Sequence, residues 1–237
     1  MIAVTFALRS ESSEFLRRLN RRKRLSAHIV TGSLPGSDVY VLHTGVGEKT
    51  ARPRVAEFLR ARSPRLLISS GFAGGLTDEL HPGELMLAEN FSALNLAAGT
   101  RSALRSYPLH TGQLSTAAAV VHSAGDRAAR TVAEGAIAVD METDFIAEAC
   151  ADRSIPMLSL RVISDTPRAP FPAPPELLFD IERQSTRYAS LLFHIAGNPR
   201  AIPRFLAFGR QVAAARRVLA GALCCLFASD AFAASEP

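Results

Sequence analysis

The stretch AIAVDMETDFIAEACADRSIPMLSLRVISD, residues 136–165, reads as an apolar strand, a helix and a second apolar strand, with acids where each strand ends. AIAVDM and PMLSLRVIS are short runs rich in β-formers, whereas TDFIAEACADR has its apolar residues at helical spacing. A strand, helix, strand unit of this length fits two neighbouring parallel strands, which brings Glu142 and Asp165 to one edge of a sheet. Ligands gather at such edges in open α/β sheets. Paired acids in a partly buried cleft take different pKa values, one serving as acid and the other as base or as ligand for hydroxyls. The plainer alternative is that Asp140 and Glu142 begin a helix, where acids suit the dipole, and that Asp165 caps a turn.

The same alternation runs outward from this unit. Strands are predicted at IAVTFAL, VYVLHTG, RLLISSG and ELMLAEN, and helices at SEFLRRLNR and TARPRVAEFLRAR, with Pro53 in the first turn of the latter, where its missing N–H does no harm. This is the pattern of an α/β layered domain. A proline-rich break, TPRAPFPAPP at 166–175, is followed by a predicted helix over 176–196, and a second break at 197–203 opens an arginine-rich helix reaching about Ala228. The expected division is one domain over 1–196 and a basic amphipathic extension over 197–237.

The chain has 237 residues, enough for one sizeable core, and its 48% hydrophobic and 21% charged residues exclude a disordered chain. Its net charge of +5 comes almost wholly from arginine. RRLNRRKR at 17–24 is read as a solvated helix face, because no aromatics interleave the cations as a nucleic-acid surface requires. Cys150, Cys224 and Cys225 form neither a disulfide framework nor a spaced zinc set, so a reducing, cytoplasmic location is expected. The C-terminal run RRVLAGALCCLFASDAFAA resembles a secretory signal at the wrong end of the chain and reads as a packed or surface-lying helix.

Three further places follow strands. In HTGVG, Gly45 and Gly47 let backbone amides approach an anion or a sugar at a helix N-terminus, or simply make a tight turn. SSGFAGG puts small residues Ser70, Gly71 and Ala73 at a strand end, with Phe72 either covering a flat ligand or filling the core. Arg9 and Glu11 follow the first strand.

TGVG, SSGFAGG, AVDMET and LRVISD, in that order, resemble the purine nucleoside phosphorylase and methylthioadenosine/S-adenosylhomocysteine nucleosidase superfamily over residues 1 to 195. The 23-residue step from Glu142 to Asp165 suits the nucleosidase branch. The resemblance implies a three-layer α/β/α sandwich around a mixed, partly barrel-like sheet, and cleavage of the N-glycosidic bond of a purine nucleoside without metal or organic cofactor. It implies Asp165, next to Ser164, as the acid that protonates or hydrogen-bonds the departing base. Glu142 would hold the ribose hydroxyls, Met141 would pack under the sugar, and Glu11 would orient or activate water. Asp140 is then a helix-start residue facing elsewhere. These roles suit the chemistry, since the leaving base must be neutralised and the sugar's oxocarbenium character stabilised.

The phosphate-binding arginine and serine of the hexameric phosphorylases fall here on Ser69 and Phe72, so both are missing and hydrolysis is the expected reaction. Arg9 is the one substitute cation for a phosphate. The aromatic that covers the purine in nucleosidases is replaced by Val120 and Val121, and the usual second acid after Ser-Asp gives way to the proline-rich loop. The tail resembles the hopanoid-associated phosphorylases, a subgroup linked to removing adenine from adenosylhopane. That resemblance implies phosphorolysis as the alternative reaction and a tail helix resting on the inner face of the membrane, unless the helix covers the domain or a subunit interface. A homo-oligomer is expected from the family, and a non-catalytic nucleoside-binding member is the competing class.

Overall fold

The computed structural model describes residues 1–172, 179–180, 185–186 and 202–235. Its main strands are β1 (Ile2–Phe6), β2 (Asn20–Arg24), β3 (Ile29–Leu34), β4 (Ser37–His43), β5 (Leu66–Gly75), β6 (Leu85–Ala88), β7 (Leu109–Thr116), β8 (Ala136–Asp140) and β9 (Met157–Asp165). The helices are α1 (Arg9–Arg18), α2 (Glu48–Ala61), α3 (Leu94–Ala103), α4 (Ala124–Glu134), α5 (Thr143–Ala151) and α6 (Ile202–Ala228).

Among the described residues the strands form one nine-stranded mixed sheet in the order β2-β3-β4-β1-β5-β8-β7-β6-β9, and β9 also pairs with β5. Strands β5, β8, β7, β6 and β9 therefore close into a ring. Ala73, Met86, Ala88, Leu114, Ala138 and Ile163, drawn from all five ring strands, cluster together. The period of two along each strand sorts the other buried side chains into two layers. Ile2, Val4, Ile68, Leu160 and Val162 join Phe15 of α1, Leu96 of α3 and Leu219 and Leu223 of α6. Ala3, Leu67 and Met157 instead join Val55, Phe58 and Leu59 of α2 and Ile146 and Cys150 of α5. This is the three-layer α/β/α arrangement with a C-terminal helix that the sequence predicts.

Four expectations are corrected. Strands β8 and β9 are not parallel neighbours: β5 lies between them, parallel to β9 and antiparallel to β8. Gly74 pairs with both Val139 and Asp165, so the glycine-rich end of β5 lies between the ends of both strands. RRLNRRKR is not one helix face; α1 stops at Arg18, and residues 20–24 form an exposed edge strand. Helix α2 begins at Glu48, so Pro53 sits in its second turn rather than its first. Within the helix expected over 176–196, Phe179–Asp180 pairs antiparallel with Ser185–Thr186, and the rest of that stretch lies outside the described residues.

Helix α6 is long and apolar enough to cross a bilayer by length and composition, yet Ala215, Leu219, Leu223 and Leu226 are fully buried in the domain. The Phe15 and Phe227 rings lie 6.1 Å apart, joining α1 to α6. Burying each such leucine contributes about 1.5–3 kcal/mol. Its first half is different, with Ile202 and Leu206 exposed beside Arg204 and Arg210.

Candidate active site

Strand β5 organises the site because its second half is built of small residues. Gly71 has φ +146°, and a Cβ there would lie 2.9 Å from both Arg161 Nη1 and Glu11 Oε2. Only glycine lets a carboxylate from α1 and a guanidinium from β9 approach the strand together. Arg161 pairs with Gly71 in the β5–β9 register. Its Nη2 donates to Ser69 Oγ and Thr143 Oγ1, each at 2.6 Å, and lies 2.8 Å from Asp140 Oδ2.

Asp140 ends β8 rather than starting α5, and its side chain accepts from the amides of Glu142 at 3.4 Å and Thr143 at 3.3 Å at the head of that helix. It does not face elsewhere. It is buried, accepts from Thr116 Oγ1 at 2.9 Å and from the Thr143 hydroxyl, and pairs with Arg161. The next acid, Glu142, accepts at Oε1 from the Gly47 amide at 2.8 Å. Gly45 and Gly47 take φ +81° and +78°, which turns the chain so that the Gly47 amide points at Glu142. The Gly45 amide donates to the Ala7 carbonyl at 3.1 Å, tying the turn to the end of β1.

Three buried carboxyls, Glu11, Asp140 and Glu142, thus surround one buried guanidinium. Burial pushes Glu11 up to about 7, against the hydrogen bond from the Leu8 amide and the Arg161 charge, which favour ionisation. Burial first and the Asp140 charge second push Glu142 up to about 8. A carboxyl raised to about 7 lies near the working pH, and its ionised form is the one that serves as a general base.

At the other end of the glycine run, the Asp165 carboxylate is buried. Ser164 Oγ donates to Oδ1 at 2.6 Å, and Arg127 of α4 forms an ion pair with Oδ2. Arg127 also donates from Nη1 to the Gly75 carbonyl at 2.5 Å. It is the one buried residue of α4, so an arginine pins this otherwise exposed helix to the body. From α6, Gln211 Nε2 donates to the Ser164 carbonyl at 2.8 Å.

Of the residues expected from sequence, the structure gathers Glu11, Gly71, Glu142 and Gly47 around Arg161, and Ala73, Ser164 and Asp165 three residues further along β5. Ser164 Oγ also reaches the Ala73 carbonyl, at 3.3 Å. Ser70 is buried with its hydroxyl unpartnered among the described residues. Met141 is half-buried beside Glu142. Phe72 packs against the core cluster of α1 and α6, one of the two alternatives its setting left open. Val121 leans on a small cluster of Leu76, Ala117, Ala136 and Val139, while Val120 is 38% exposed. Arg9 reaches away to the Ala27 carbonyl and does not join the acids. Sequence reading missed Arg161 and Arg127. The signal for Arg161 was a lone cation inside the apolar run MLSLRVIS. For α4 it was the Ser123 cap, accepting from the Asp126 amide at 3.0 Å, and Gly135 at φ +63°. Among the described residues no three His, Cys, Asp or Glu side chains are grouped as a metal-ligand set.

A family model described as the phosphorylase superfamily matches residues 2–101 and 91–196. The chain belongs to that superfamily. Solved structures share its fold at low identity. The 5′-methylthioadenosine/S-adenosylhomocysteine nucleosidase of S. pneumoniae is 18% identical, with TM-score 0.72 over 96% of this chain and 98% of that one. Futalosine hydrolase of Helicobacter pylori is 17% identical, with TM-score 0.71 over 96% and 97%. A putative nucleosidase of the same kind from Borrelia burgdorferi, bound to adenine, is 18% identical, with TM-score 0.73 over 96% and 99%. In this phosphorylase-superfamily chain the matches to all three extend past residue 196, so α6 is covered by the shared fold.

Proposed function

We propose that the chain is an enzyme that hydrolyses the N-glycosidic bond of a purine nucleoside and releases the free base. The observation that carries this reading is Glu11, raised to about 7 and brought with Arg161 against Gly71, opposite Glu142. In this reading Glu11 takes a proton from water as the water oxygen bonds to C1′ of the sugar, while the C1′–N bond breaks and its electron pair leaves with the base. The base takes up a proton that Asp165 relays from solvent. The carboxylates offset the positive charge that develops on the sugar, Arg161 holds Asp140 in place beside them, and Glu142 holds the ribose hydroxyls above Met141. Asp165, oriented by Ser164 and Arg127, hydrogen-bonds the departing base. Neither a metal nor an organic cofactor enters this scheme.

The resemblance to nucleosidases that act on methylthioadenosine and S-adenosylhomocysteine, and to one that acts on futalosine, supports substrates of that class. Assayed with methylthioadenosine, S-adenosylhomocysteine, adenosine and inosine, the chain is expected to release base and free sugar from at least one without phosphate. Release that requires phosphate and yields sugar 1-phosphate would replace hydrolysis by phosphorolysis. No release from any of them by folded protein would sink the enzyme reading in favour of a nucleoside-binding role.

The first half of α6 favours a second reading, in which a lipid-linked nucleoside such as adenosylhopane is cleaved at the membrane surface. Exposed Ile202 and Leu206 beside Arg204 and Arg210 suit an anionic bilayer face. Co-sedimentation with anionic vesicles, lost in Leu206→Glu, tests it. The free state of all three cysteines supports a reducing, cytoplasmic setting, and the family resemblance supports a homo-oligomer.

A further inference from the structure

One short segment, residues 43–47, supports both of the glutamates whose pKa values are raised. Its Gly47 amide holds Glu142, and its Gly45 amide holds the Ala7 carbonyl just ahead of α1. The first residue of the segment, His43, ends β4, is buried, and meets α1 itself. Its Nε2 lies 2.8 Å from Oγ of fully buried Ser12, the residue that follows Glu11. Ser12 Oγ donates its hydrogen to the Arg9 carbonyl at 3.1 Å, so towards His43 it accepts. The imidazole is then the Nε2–H tautomer, and its bare Nδ1 is buried without a partner among the described residues. Leaving a buried acceptor unpaired is costly, a cost that the Ser12 bond offsets.

Glu11 carries two tasks on one carboxylate. It accepts from the Leu8 amide at 3.3 Å, which caps the first turn of α1, and as general base it takes a proton from water. Once protonated it caps less well, because a neutral carboxyl is a weaker acceptor than a carboxylate. The turn then needs a tie that does not titrate along with it. Burial and then the Arg9 charge push His43 down to about 4, whereas Glu11 stands at about 7. The imidazole is therefore neutral on both sides of the Glu11 transition, and its bond to Ser12 persists through it. The charges that act on His43 are Arg9 on α1, His28 ahead of β3, Arg24 on β2 and Arg54 on α2. Those that act on Glu11 are Arg161 on β9 and Asp140 on β8, and Glu11 in turn acts on Glu142 at the head of α5.

We propose that His43 is a positioning residue for the general base: through Ser12 it fixes the first turn of α1, and so holds Glu11 against Gly71 while that carboxyl gains and loses its proton. This role rests on the reading of Glu11 as the base that serves hydrolysis.

Carbon-13 NMR of the glutamate carboxyls of the full chain, with the Glu11 signal assigned by Glu11→Gln, follows its titration without turnover, and kcat against pH follows it during turnover. His43→Leu is expected to lower kcat about tenfold or more with KM within about twofold. It should also move the Glu11 midpoint from about 7 towards the ordinary carboxylate value, as water enters beside a loosened turn. Ser12→Ala should reproduce both effects, and the double variant should add little to either. His43→Gln, whose amide still donates to Ser12 Oγ, is expected to regain most of the loss. Ser13→Ala is the control: that hydroxyl makes the same kind of bond, to the Ser10 carbonyl, but open to solvent, and its loss should leave both readouts unchanged. Ser12→Ala, the milder change, carries the test where His43→Leu does not fold. Variants at His43 or Ser12 that lose stability in urea yet keep the native kcat and the native Glu11 midpoint overturn the proposal and leave the pair a structural contact. A midpoint that moves in His43→Leu and Ser12→Ala, in a protein that releases no base from any nucleoside, upholds the positioning of Glu11 and removes the hydrolase reading instead.

Discussion

Gly71 is where single atoms matter most. An added methyl would stand 2.9 Å from both Arg161 Nη1 and Glu11 Oε2, on a backbone at φ +146°. Gly71→Ala is expected to lower kcat about a hundredfold, since small displacements of reacting groups are costly. Glu11→Gln should lower it by about 10²–10⁴ and remove the rise of activity with pH centred near 7. Glu11 and Glu142 set a stability trend of definite sign. Their folded pKa values, about 7 and 8, lie above the ordinary 4.5, so the folded state holds more protons between those limits. Their contribution is full below pH about 4.5 and is lost as pH rises through 7 to 8. Urea unfolding across that window should show native stability falling with pH and a shallower fall in Glu142→Gln. Arg127 and Asp165 give a fourth test. Arg127→Met leaves a buried carboxylate unpaired and should cost about 3–5 kcal/mol, much of it recovered when Asp165→Leu is added. The acids were legible because each closes an apolar run. Arg161 and Arg127 were not, because what holds a buried arginine is supplied by elements distant in sequence.

Elements differ in how far their own residues specify them. Strands β1, β5 and β9 are wholly or almost wholly buried, and their apolar runs reveal them. Strand β2, NRRKR, is exposed at every position and exists through its pairing with β3, so nothing in its side chains signals a strand. Strand β7, LHTGQLST, is similarly obscured by polar residues on its open face. Helix α4 has one buried residue, and that residue is charged. Amide exchange in α4 should therefore be among the fastest of the helices, and faster again in Arg127→Met. Helix α6 is the opposite case. Leu223→Ala, at a fully buried position, should cost about 2–5 kcal/mol in denaturant unfolding. The arginines and apolar centre of α6 resemble a surface-seeking helix from sequence alone, and it is the partners on α1 and β9 that make its second half core.

At the scale of the whole molecule, the layered α/β class followed from alternating runs, while the closure of five strands into a ring did not. Ring closure depends on β5 pairing with β8 and β9 at once, and local periodicity carries no information about which strands meet. That closure also fixes the order in which the molecule can be completed. Strand β9 must return to a strand some ninety residues earlier, a long-range contact of the kind that forms late. Until it does, Arg161 has no Gly71 to face and Asp165 has no Gly74 beside it. A chain growing from its N-terminus therefore has no working pocket until its first 165 residues are free to pair, and the onset of activity during refolding should report the last long-range step rather than the first.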